Sequence, residues 1–275
     1  MAFYNCPKTN NHFLNTHGNK IHFKKWECEG DICIFYFHGY NCNINKNIIN
    51  DFAKELNNIK ISMYSIDFQG HGYSEGEKGL ILNTNHLVKD YIKFIKLINT
   101  KKKIILLGSS MGGAIALETA KYIKNILGCV LLAPAFELTS NKYKFLEKVL
   151  DFVSYIFPMS AFPNFLKLKI NPENSVICKD FCNWCIEDDM SYKENIKFST
   201  LNAIIKMGRK CRKKFPNCKT IILHDIDDKI TDFNASFEFS CSNPKIFLIE
   251  LKNMKHYLIH NCPNKIIEAI KFHFL

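Results

Sequence analysis

At 275 residues the chain is long enough for one large domain or two modest ones, and with 47% hydrophobic and 23% charged residues it reads as globular. The formal net charge is +11, from 37 basic against 26 acidic residues, yet only Arg209 and Arg212 are arginines. With no basic stripe interleaved with aromatics, this charge does not point to nucleic acid; it reads as solvated lysine faces, with attraction to anionic membrane surfaces as its second meaning.

The first residues, MAFYNCPKTNNHF, lack the basic start and apolar run of a signal peptide. The 12 cysteines show no framework spacing, so they read as reduced thiols and the expected setting is cytoplasmic, peripheral to membranes at most. HFLNT and KIHFKKW flank HGN, which predicts an antiparallel hairpin on a sheet edge. Short apolar runs at 32–37, 61–66, 104–107, 129–133, 220–224 and 246–250 read as buried strands. Segments 46–58, 85–99, 111–125 and 263–273 read as helices between and after them. That alternation predicts an α/β fold, a mostly parallel sheet flanked by helices.

The alternation stops between about 136 and 215, where apolar helical runs such as YKFLEKVLDFVSYIF appear with several prolines. The expected organisation is a core of residues 1–135 and 216–275, with 136–215 inserted between the fourth and fifth of those strands. An insertion at the carboxyl ends of strands lies over the ligand crevice of an open α/β sheet and acts as a helical cap. Its longest apolar stretch, Phe152 to Leu166, is too short to span a bilayer and holds two prolines. The aromatic and apolar run 145–166 packs under the cap, or forms a lid that lines an acyl channel or touches a membrane. Within the cap, Cys178, Cys182 and Cys185 follow C-x3-C-x2-C, which lacks the paired spacing of a zinc site, so no metal is expected.

LLGSSMGGA, at 106–114, holds adjacent serines. Only Ser110 has glycines at −2 and +2, Gly108 and Gly112. A strand that turns at once into a helix strains its central residue and crowds those two neighbours, so G-x-S-x-G between a strand and a helix predicts an exposed nucleophilic hydroxyl. A bare serine hydroxyl needs a base, and the base needs an orienting acid. The loop after the strand TIILH offers Asp225, Asp227, Asp228 and Asp232. Asp228 is the preferred acid and Asp227 the alternative; the others read as turn formers or solvated carboxylates. His256, a few residues past the last strand, is the expected base, with His260 read as a helix-surface or packing residue. The histidines at 12, 17, 22, 86 and 273 have no motif around them and read as surface residues. Acyl transfer also needs oxyanion donors. The N–H groups of Met111, after the nucleophile, and Tyr40, in the FYFHGYN loop, are the candidates.

HGY at 38–40, DFQGHGYSEG at 67–76, GSSMGG at 108–113, HDIDDKI at 224–230 and MKHYLIH at 254–260 resemble, in order, the landmarks of α/β-hydrolases. The second of these looks like the monoacylglycerol lipase and lysophospholipase branch. The resemblance covers about residue 20 to the end, with IEDDMSY at 186–192 placed like an Asp segment of such caps. It implies an ester hydrolase with Ser110, Asp228 and His256 as catalytic triad, no cofactor, and a lipid-like ester substrate. Esterase, thioesterase or acyltransferase chemistry on other acyl substrates, or a non-catalytic ligand-binding protein, are the alternatives. In this pattern Asp67 to Gly76 shape a loop beside the pocket, and Asp67 and His71 fix it by hydrogen bonds. One departure is Asp225, where the family usually has glycine after the histidine.

Overall fold

The computed structural model describes residues 11–139, 141–163, 176–177, 188–192, 194–213 and 218–275. Its strands are β1 (His12–Leu14), β2 (Lys20–Trp26), β3 (Ile32–Phe37), β4 (Ile61–Ile66), β5 (Lys103–Ser109), β6 (Ile126–Leu132), β7 (Lys219–Asp225) and β8 (Ile246–Leu251). Its helices are α1 (Asn47–Asn58), α2 (Thr84–Ile98), α3 (Met111–Ala120), α4 (Asn141–Ile156), α5 (Phe198–Lys213), α6 (Phe233–Cys241), α7 (Leu258–Asn261) and α8 (Pro263–Phe274). The strands form one sheet in the order β1-β2-β4-β3-β5-β6-β7-β8. β1 and β2 are the expected antiparallel hairpin at one edge, and β3 to β8 run parallel. This is the architecture of an α/β-hydrolase.

Successive side chains of a strand point to opposite faces, and here both faces are covered. Phe35 and Phe37 of β3 join Tyr64, Ile66, Leu106 and Leu131 under α2, α3 and α5. Ile34 and Tyr36 join Met63, Leu107, Val130 and Leu223 under α1 and α8. Both sets are buried, which is why ICIFYF is apolar throughout instead of alternating. Each such side chain contributes about 1.5–3 kcal/mol through burial. The order of strands also sets the position of a ligand crevice. The chain steps outward from β3 to β4, then crosses back over β3 to β5. Connections thus leave β3 and β5 in opposite directions, and a crevice opens at their carboxyl ends.

Some expectations need correction. α3 ends at Ala120, not 125, because Lys121 and Tyr122 N–H groups turn back onto Glu118 and Thr119 carbonyls and Asn125 is left-handed. α6 was not anticipated: FNASFEFSC has no clear apolar stripe, and Asp232 starts it by accepting a hydrogen bond from Asn234 N–H at 3.0 Å. His22 is buried, not on the surface; it faces inward from β2 against the edge of the Tyr73 ring, and burial lowers its pKa to about 4.

Between β6 and β7, the described residues contain α4 and α5 and no strand. They pack on each other, with Asn202 donating to Asp151 and Ser154. Residues 164–175 and 178–187 lie outside the described residues, including Cys178, Cys182 and Cys185. No helix among the described residues is long and apolar enough to cross a membrane. α5 is fastened to the core by the buried Thr200, whose hydroxyl donates to Gly79 O and accepts from Ile81 N–H, both at 2.8 Å. Thr200→Val keeps the shape but strands both partners. It is expected to lower stability by about 1–3 kcal/mol, read as a Tm several degrees lower in thermal unfolding followed by circular dichroism.

Candidate active site

β5 passes into α3 through a single residue, Ser110, at φ 53° and ψ −121°. That conformation costs on the order of 1–3 kcal/mol, so its surroundings must enforce it. Ser110 N–H donates to Leu132 O at 2.8 Å, and Ser110 O accepts from Gly113 and Ala135 N–H groups at 2.9 Å. The glycine spacing is steric. A Cβ on Gly108 would meet Gly112 O at 2.4 Å, and one on Gly112 would meet Phe37 O at 2.2 Å. The two serines separate clearly. Ser109 is buried, with its Oγ 3.5 Å from the Tyr36 hydroxyl, while Ser110 is half-buried at the start of α3. The first N–H groups of α3, beginning with Met111, have no acceptor within the helix and carry its positive pole.

β7 and β8 end on the same edge of the sheet as β5. From the loop after β7, Asp228 is buried and accepts Ile230 N–H (2.7 Å) and Thr231 N–H (3.2 Å) on Oδ1. Its Oδ2 accepts His256 Nδ1–H at 2.7 Å and Thr231 Oγ1–H at 3.1 Å. Burial pushes the Asp228 carboxyl up, but the His256 charge, the His256 hydrogen bond and the neighbouring His224 ring outweigh it and hold the group well below the usual carboxylate range. With Nδ1 donating to an ionised acid, His256 keeps Nε2 as an acceptor, which is the tautomer a general base needs. Asp227, the alternative acid, is exposed and its N–H donates to Asp225 Oδ1 at 2.8 Å, whereas the carboxylate bonded to His256 is that of Asp228.

Asp225 is neither solvated nor a simple turn former. It is buried, and its Oδ2 accepts the N–H groups of Met254 and, at 3.1 Å, Lys255. Those residues lie in the loop just before His256, where Asn253 and Lys255 both have positive φ. Asn261 Nδ2 donates to Met254 O at 2.6 Å on the other side. A carboxylate at the family's glycine position thus ties the acid loop to the base loop.

The third strand end carries the other candidate donor. Phe68 N–H donates to His38 Nε2 at 2.9 Å, so the proton of this buried histidine is on Nδ1, which donates to Gly39 O at 2.8 Å. Burial holds the His38 pKa well below its ordinary value, so the ring stays neutral. The Gly39 carbonyl and the Tyr40 N–H belong to one planar peptide, so fixing the carbonyl fixes the direction of the N–H. Gly39 lies against the nucleophile turn: a Cβ on it would sit 3.4 Å from Ser110 Cβ.

Around this loop, Asp67 is buried and accepts Ile44 N–H (2.8 Å), Asn45 Nδ2–H (2.9 Å) and Tyr73 N–H (3.0 Å), which is the fixing role expected of it. Burial raises its pKa to about 6. His71 is buried beside His38 and Tyr40 and bonds Gln69 O through Nδ1. The inserted segment grips the same loop. Asn41 donates to Tyr192 O at 2.9 Å and accepts Tyr192 N–H at 2.5 Å. Asp188 pairs with the buried Lys46 at 3.5 Å and accepts from Asn43 at 3.3 Å.

A serine on a strained strand-to-helix turn thus shares one sheet edge with an acid-bound histidine and a braced peptide. The sequence matches the family described as Serine aminopeptidase, S33, over residues 29–262. The chain belongs to this hydrolase family. It is 24% identical over 237 residues to a monoglyceride lipase homolog of Monkeypox virus, covering 83% of each chain. It is 28% identical over 155 residues to the monoglyceride lipase of Rattus norvegicus, covering 52% of this chain and 50% of that one. The crystal structure of Paleococcus ferrophilus monoacylglycerol lipase superposes with a TM-score of 0.80 at 18% identity, covering 92% of this chain and 99% of that one.

For this S33-family hydrolase, sequence reasoning gives no role to His38, His224 and Thr231, and reads Asp225 only as a turn former or solvated carboxylate. His38, His224 and Asp225 lie inside the quoted motifs, but only the fold shows what they bond. His260 stays peripheral, bonded to its neighbour Asn261 at 3.1 Å. Asp225→Ala strands the N–H groups of Met254, Lys255 and Asp227, so stability is expected to fall by about 2–4 kcal/mol in chemical denaturation. Asp227→Ala, at an exposed carboxylate, should change it by under about 0.5 kcal/mol.

Proposed function

We propose that the protein is a serine ester hydrolase that releases a fatty acid from a monoacylglycerol or lysophospholipid. The observation that carries this reading is the 2.7 Å hydrogen bond from His256 to the buried Asp228, on the sheet edge that also carries Ser110. Ser110 Oγ attacks the ester carbonyl as His256 Nε2 takes its proton. The carbonyl oxygen becomes an oxyanion held by the N–H groups of Tyr40 and Met111, each worth roughly 3–4 kcal/mol to the transition state. The intermediate collapses, the C–O bond to the alcohol breaks, and His256 returns the proton to that alcohol. Water, deprotonated by His256, then attacks the acyl-enzyme and the fatty acid leaves. Asp228 stays ionised throughout and orients the ring.

The family description names a peptidase and the relatives are lipases, so the lipid assignment leans on the relatives and on the inserted segment. Residues 136–215 act here as a cap. The second half of α4 and the turn after it expose Phe152 (71%), Tyr155 (83%), Phe157 and Met159, while Leu150 and Phe162 are buried. Packing beneath the cap accounts for the last two alone. An exposed apolar face on a chain of net charge +11 suits transient contact with an anionic membrane surface.

On p-nitrophenyl butyrate, Ser110→Ala is expected to lower kcat by about 10⁶-fold and Asp228→Ala by about 10⁴-fold. Ser109→Ala and Asp227→Ala should keep most of the activity. Fluorophosphonate labelling should follow the same order; a folded chain that never labels would overturn the reading in favour of a ligand-binding protein. Mass spectrometry of products from a mixed monoacylglycerol and lysophospholipid pool reads the head group, and an untouched pool alongside butyrate turnover would overturn the lipid assignment.

A further inference from the structure

Asp228 has a second imidazole. His224, the penultimate residue of β7, is fully buried with its Nε2 3.3 Å from Asp228 Oδ2, the same oxygen that accepts from His256. The His224 Nε2 is also 3.3 Å from Thr231 Oγ1, whose hydroxyl passes to Oδ2 at 3.1 Å. On the other side of the ring, Nδ1 meets the hydroxyl of Ser236 at 2.8 Å, and Ser236 is itself buried in α6. The edge of Phe233 closes the pocket at a ring separation of 5.7 Å.

We propose that His224 is a positioning residue for the triad, a neutral imidazole oriented by Ser236 that donates from Nε2 to the Asp228 carboxylate and fixes Oδ2 toward His256. The proposal rests on the triad reading above. Its first support is hydrogen-bond bookkeeping. A carboxylate only accepts, so the nitrogen facing it carries the proton; Nδ1 is then the acceptor and Ser236 the donor. Its second support is charge. The groups facing Oδ2 are His256 from the loop after β8, His224 from β7 and Thr231 from the acid loop. Asp225 is engaged with Asp227, Met254 and Lys255, while Asp227 and Lys229 are exposed. When His256 becomes a cation during turnover, one buried carboxylate balances it. A second cation at His224 would leave a buried positive charge without a partner. The neutral ring avoids that and still supplies a directed donor.

The positional consequence follows from the two oxygens. Oδ1 is held by backbone N–H groups of its own loop, which allows the carboxylate to tilt about its bond to the chain. His224 comes from β7, whose backbone is paired with β6 on one side and β8 on the other, and restrains the other oxygen. A tilt misdirects the bond to His256 and thereby the base, which harms the reaction more than substrate binding.

The test compares His224→Gln, which keeps a neutral donor of similar reach, with His224→Leu, which removes it. On p-nitrophenyl butyrate, His224→Leu should lower kcat about 10–100-fold, the range seen when orienting partners are lost, with KM within about twofold. His224→Gln should stay within about threefold of the parent protein. In 15N-histidine NMR of the Ser110→Ala protein, His224 should give a neutral ring protonated at Nε2. A folded His224→Leu with full kcat, a His224→Gln that falls as far as His224→Leu, or a His224 protonated only at Nδ1 would each overturn the proposal. If His224→Leu does not fold, the Gln variant and the NMR tautomer decide. Failure of the triad reading is a separate result: Ser110→Ala or Asp228→Ala would then stay active.

Discussion

A charge inside a protein has to be matched, and the Asp228 carboxylate is the charge around which this sheet edge is organised. It collects Ile230 and Thr231 from its own loop, His256 from the next, and His224 from the strand that leads to it. These partners come from β7, the acid loop and the loop after β8, so satisfying one side chain draws three parts of the chain together. The strand order makes that meeting local. Because β7 and β8 are parallel neighbours, the loops that leave them emerge side by side.

The same logic recurs at the other end of the site. Ser110 sits in a conformation that few residues adopt, and it is held there by Leu132, Ala135 and Gly113. The Gly39–Tyr40 peptide is aimed by a histidine that never needs to ionise. Asp225 steadies a stretch of left-handed residues ahead of His256. The Gly39–Tyr40 peptide and the loop ahead of His256 are therefore each backed by a buried polar side chain, while backbone groups alone hold the Ser110 turn. That is where the interior of this protein departs from a plain hydrophobic core.

The sequence disclosed the parts whose cause is local. G-x-S-x-G is a steric requirement of one tight turn, so glycine spacing alone separates Ser110 from Ser109. Apolar runs without alternation gave the parallel strands because both faces of the sheet are covered. The second layer could not be read in this way. Nothing near Asp225 announces that it bonds to Met254 and Lys255, and nothing near His22 shows that β2 turns it inward beneath Tyr73. α6 is hidden for another reason: its nine residues lack an apolar stripe and are started by a capping aspartate that the sequence alone does not tell from a turn former or solvated carboxylate.

The grip of Asp188 and Tyr192 on Lys46, Asn43 and Asn41 reaches beyond architecture. The loop they hold is the one that directs the Tyr40 N–H. In the proposed reaction, a segment that would border an acyl chain is thus mechanically joined to the peptide that would hold the reacting oxygen. On that proposal, a mutation that adapts the segment to a new acyl chain also shifts the donor, so substrate range and speed would change together.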